Sequence, residues 1–94
     1  MEEIKQTIRE EIENADGERK RVIYQVREQI KSAPWSSKSS IYILFGGMLA
    51  NSPSLIDKFD DIANKLDGLT EDEHVQLWQF MLEQTENLKS SVQE

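Results

Sequence analysis

From Glu2 to Ala33 the apolar residues fall at Ile4, Ile8, Ile12 and Ala15, then at Val22, Ile23, Val26, Ile30 and Ala33. Steps of three and four keep side chains on one helical face. The phase holds across Asp16-Gly17. The stretch therefore reads either as two helices, about 2–15 and 18–33, or as one continuous helix that tolerates Gly17 at a cost of about 1 kcal/mol relative to alanine. The unbroken phase favours the continuous form. Pro34 ends it, because proline disfavours the helical conformation of the residue before it.

A serine-rich linker follows at 32–40, and then IYILFGGMLA at 41–50. The first five residues of that segment have strand propensity, but no second strand is visible for it to pair with. It reads as a short buried helix, weakened by Gly46 and Gly47. Ser52-Pro53 supplies an N-cap and a first-turn proline, whose missing N–H costs nothing there. Leu55, Ile56, Phe59, Ile62, Ala63 and Leu66 then cover one face of a helix over 53–67, and Gly68 closes it as a C′ residue. Thr70-Glu71-Asp72-Glu73 matches a capping box and opens a last helix over 71–91. The expected architecture is a single all-α domain over 1–94, a small bundle of four to five helices.

The faces differ in width. Helix 53–67 carries the apolar stripe of a little over ~100° that a small core requires. In the last helix Val75, Leu77, Trp78, Phe80, Met81, Leu82, Leu88 and Val92 spread over roughly 200°. So wide an arc belongs to a central helix with neighbours on two sides, or to a helix that lends one edge to another chain.

Composition narrows the class. Ninety-four residues hold one modest core, and there is no cysteine for a disulfide, a thiolate metal site or a thiol nucleophile. The acidic opening Met1-Glu2-Glu3 is unlike the basic start of a signal peptide. As a helix the longest apolar run, 41–50, would reach about 15 Å, half the ~30 Å of a bilayer core. A cytoplasmic protein without a membrane span is the expectation.

The net charge of −7 is unevenly spread. Residues 2–18 hold seven acids and two bases, residues 19–38 six bases and one acid, and residues 51–94 ten acids and three bases. Within the basic stretch Lys20, Tyr24, Arg27 and Lys31 recur at helical spacing, a cationic stripe able to meet an acidic partner or phosphates. An antiparallel dimer of the 2–33 region would set the acidic half of one chain beside the basic half of its mate.

Signals for chemistry are sparse. One histidine, His74, leaves no second imidazole, and no Gly-rich phosphate loop or nucleophile elbow occurs. Glu71-x-x-His74 has the spacing of a di-iron helix motif, but Glu71 occupies a first helical turn where acids are expected anyway. Helices 53–67 and 71–91 superficially suggest a helix-turn-helix. The second opens Glu-Asp-Glu-His, which would repel DNA phosphates, so direct nucleic-acid binding is disfavoured.

These features imply no catalysis, cofactor or metal. They imply a protein–protein interaction module, self-associating through the last helix into a homo-oligomer. Trp35, Trp78, Phe80 and Met81 are its candidate anchors, since aromatics and methionine dominate interface energetics. The alternative is a small acidic inhibitor, an antitoxin-like decoy that neutralises a basic nucleic-acid-binding protein.

Overall fold

The computed structural model describes residues 2–32, 38–49 and 52–88, and every regular element among them is helical. The order is α1 (Glu2–Glu13), α2 (Gly17–Ser32), α3 (Lys38–Leu49), the single turn α4 (Pro53–Ile56), α5 (Phe59–Asp67) and α6 (Glu71–Thr85). A 3-10 turn, Glu86–Leu88, follows α6. This is the small all-α bundle the periodicity implies.

The first junction corrects the preference for one continuous helix. Asn14 N–H donates to the Glu10 carbonyl at 3.0 Å and Ala15 N–H to Ile12 at 3.4 Å, which closes α1. Asp16 then caps α2. Its Oδ1 accepts from the Arg19 N–H at 2.9 Å, and its carbonyl accepts from Lys20 at 2.9 Å. A cap of this kind satisfies a backbone donor that a helix start leaves open. Ala15 stays buried at the bend, so the apolar phase survives although the helix does not.

Segment 41–50 is helical, not a strand, and its helix begins earlier than expected, at Lys38 inside the linker. Ile41, Leu44, Phe45 and Met48 are buried, at the i, i+3, i+4, i+7 spacing of a core-facing helix. The remaining linker residues, 33–37, lie outside the described residues, and so does Ala50.

The helix expected over 53–67 is interrupted. Pro53 holds the first position, but Ser52 makes no side-chain cap bond; its carbonyl accepts from the Leu55 N–H at 3.0 Å and the Ile56 N–H at 3.4 Å. Asp57 and Lys58 form a turn between α4 and α5. Gly68 does follow α5, but with a right-handed φ of −81°, so no left-handed C′ glycine is needed there.

The capping box forms as read: Glu73 N–H donates to Thr70 Oγ1 at 3.2 Å, and Thr70 N–H to Glu73 Oε1 at 3.0 Å. Helix α6 ends at Thr85, short of the expected 91, and residues 89–94 lie outside the described residues. It packs against α1, α2 and α3, with His74, Leu77, Met81 and Thr85 all buried. Neighbours on several sides account for its wide apolar arc, and α2 and α3 form the other main helix pair.

Candidate partner-binding surface

The side chains singled out in the sequence occupy dissimilar places. Met81 is 2% exposed and belongs to the core. Trp78 and Phe80 are half-buried and pack against that core. Lys5 and Arg9 of α1 stand over the Phe80 ring, at 5.4 and 5.0 Å from its centroid, which joins the acidic first helix to α6 by cation–π attraction. Trp35 lies outside the described residues.

The basic stripe is not one surface. Arg27 is 5% exposed and turns inward, where its guanidinium pairs with Glu86 and its Nε–H donates to the Leu82 carbonyl at 3.4 Å. Arg19 pairs with Glu11. Tyr24 donates its hydroxyl to Glu28 at 2.6 Å, and that bond, with burial, raises the phenol above its ordinary value. Lys20 is half-exposed and Lys31 exposed, and neither has an ion-pair partner among the described residues.

Large apolar side chains reach solvent elsewhere. Ile43 of α3 is 49% exposed, Ile56 at the end of α4 is 58% and Phe59 at the start of α5 is 46%. On an unbroken helix at ~100° per residue Phe59 would stand only about 40° from Leu55, well inside the apolar stripe. Asp57 and Lys58 end α4, and Phe59 becomes the first residue of α5. Leu55, Ile62 and Leu66 still point inward, whereas Ile56 and Phe59 are left outside. Asp57, Lys58, Asp60 and Asp61 surround them in sequence and are exposed.

Two polar ties hold α5 in place. Lys65 bonds Glu3 of α1 and, at 3.1 Å, Asp61, and both carboxylates raise its pKa. Tyr42 of α3 donates to Asp67 at 2.6 Å. Its phenol is pushed up to about 12, first by burial and then by that bond. Between α1 and α5 an open groove runs over Ile4 and Ile62, edged by Glu3, Thr7, Lys58, Asp61 and Lys65.

Glu71 is exposed whereas His74 is buried. Among the described residues no three His, Asp or Glu side chains cluster closely enough to hold a metal. Nor is any described helix long and apolar enough to cross a membrane. No family model, curated protein or solved structure matches the chain.

Proposed function

We propose that this chain is a non-enzymatic protein–protein interaction module whose contact surface is the α4–α5 corner. One observation carries the reading: Ile56 and Phe59, placed by the sequence on a core-facing stripe, are about half exposed. Exposed apolar side chains grouped together and rimmed by polar residues mark protein contact sites, and Ile56 and Phe59 stand three positions apart among exposed charged residues. Helix α6 is the weaker candidate for that role, because its apolar residues already meet α1, α2 and α3.

The test compares the native chain with the Ile56→Ser/Phe59→Ser double variant as baits, at low and high salt. A stoichiometric partner held by the native chain and lost by the variant supports the reading. A partner held equally by both overturns it. A basic partner shed by salt and indifferent to the double variant would point instead to the acidic inhibitor, since screened charge weakens with ionic strength and apolar contact does not.

A further inference from the structure

Taking the α4–α5 corner as the contact surface, we propose that its partner is a second copy of this chain, which presents the exposed cations of α2. The chain carries both halves of a complementary pair. Of the cations on α2, Arg19 and Arg27 are neutralised internally by Glu11 and Glu86. Lys20, Arg21 and Lys31 have no ion-pair partner among the described residues, and Arg21 and Lys31 are exposed. Helix α3, packed along α2, contains no acidic residue over Lys38–Leu49 that could neutralise them.

The opposite pattern occurs at the corner. Asp57 and Asp60 are exposed and have no ion-pair partner among the described residues, and they alternate with the exposed Ile56 and Phe59. Lys58 is the one base in the run 56–61, against three acids. A contact of corner against corner would set these aspartates face to face, and like charges oppose it. Corner against α2 pairs opposite signs and covers the apolar side chains. Two copies related by a two-fold axis would make that contact twice and close the assembly.

Sedimentation velocity of the full chain over a range of concentrations tests this, with Asp60→Lys, Arg21→Glu and the variant carrying both. All these positions are exposed, and circular dichroism checks that each variant folds. The expected result is a species of twice the monomer mass, weakened about tenfold in Kd by either single change and restored by the pair. High salt should weaken the native dimer as well.

A native chain that stays monomeric at every concentration overturns the proposal. So does a dimer indifferent to both charge reversals. If the monomeric chain still holds a different protein that the Ile56→Ser/Phe59→Ser variant loses, the interaction reading stands and only the second copy is rejected. Binding of a monomeric chain to a short DNA duplex, abolished by Arg21→Glu, would assign the α2 cations to phosphate and overturn the inference.

Discussion

The Cβ that Gly47 lacks would stand 2.4 Å from Cγ2 of Val26 and 3.2 Å from its Cβ, so α3 lies this close to α2 only with a hydrogen at that position. Val26 cannot easily turn away, because a β-branched side chain in a helix has one strongly preferred rotamer. Gly46, its neighbour, has nothing within 4 Å of the same hypothetical atom. Two adjacent glycines of one helix therefore answer alanine with opposite signs. Gly46→Ala should stabilise by up to about 1 kcal/mol through helix propensity. Gly47→Ala gains the same propensity but overpacks the interface by about 1–3 kcal/mol, a net loss. In a Val26→Ala background the loss at Gly47 should vanish. Urea midpoints of the four variants decide it.

Arg27 and Glu86 predict a second asymmetry. The guanidinium is buried, while the carboxylate that answers it is largely exposed. Removing the acid takes the nearer counter-ion from a buried charge, leaving Glu28 at 3.8 Å, whereas removing the arginine leaves a carboxylate that water can solvate. Glu86→Ala should cost about 1–2 kcal/mol, tempered by the remaining bond to the Leu82 carbonyl and the Glu28 ion pair. Arg27→Met, which keeps the apolar stem, should cost less. Equal losses in chemical denaturation would contradict this account.

The two residues also mark what the sequence could not disclose. Glu86 stands 59 positions from Arg27, and no local pattern tells an inward arginine from its solvated neighbours. The Thr70–Glu73 box was legible because donor and acceptor lie three residues apart. The Ile41, Leu44, Phe45, Met48 spacing likewise marks a helix despite its strand-forming side chains. Asp16 was obscured for a geometric reason: the bend keeps Ala15 in the core, so the periodicity runs on through a broken helix. The corner at Asp57–Lys58 has no proline or glycine to announce it, and Phe59 is exposed as the first residue of the helix that follows, although it shares the phase of buried Leu66.

At alkaline pH the Tyr42–Asp67 bond sets a direction. The folded phenol titrates near 12, above the ordinary value of 10. Below pH 10 both folded and unfolded chains are protonated there, and the contribution is complete. Between 10 and 12 the unfolded chain loses the proton first, so stability falls as pH rises. Tyr42→Phe should cost about 1 kcal/mol at neutral pH and remove that part of the alkaline slope. Thermal unfolding from pH 8 to 12 would show it, and an unchanged slope in the variant would exclude Tyr42 as its source.

At acid pH the capping box works in the other sense. Glu73 is held below the ordinary carboxylate value, first by the Thr70 backbone N–H and then by the Thr70 hydroxyl. Its contribution is complete above the unfolded pKa and is lost as pH falls through the folded one. Glu73→Gln keeps an acceptor without the charge, so it should flatten the acid limb and retain most of the helix start. Helicity measured from pH 7 to 2 checks both.

Exposure at the α4–α5 corner makes the last prediction. Ile62 and Phe59 lie on the same short helix, yet Ile62 is buried and Phe59 is not. A serine at Phe59 removes apolar surface that is already half in water, so in the monomer it should cost well under 1 kcal/mol. A serine at Ile62 opens a cavity and buries a hydroxyl, and should cost about 3 kcal/mol or more. Self-association reverses the ranking. Phe59→Ser should weaken a dimer held at the corner, while Ile62→Ser should act only through folding. Unfolding at concentrations where the chain is monomeric, set beside dimer dissociation, separates the two effects. If Phe59→Ser cost as much as Ile62→Ser in the monomer, Phe59 would be a core residue and the corner would lose its standing as a contact surface.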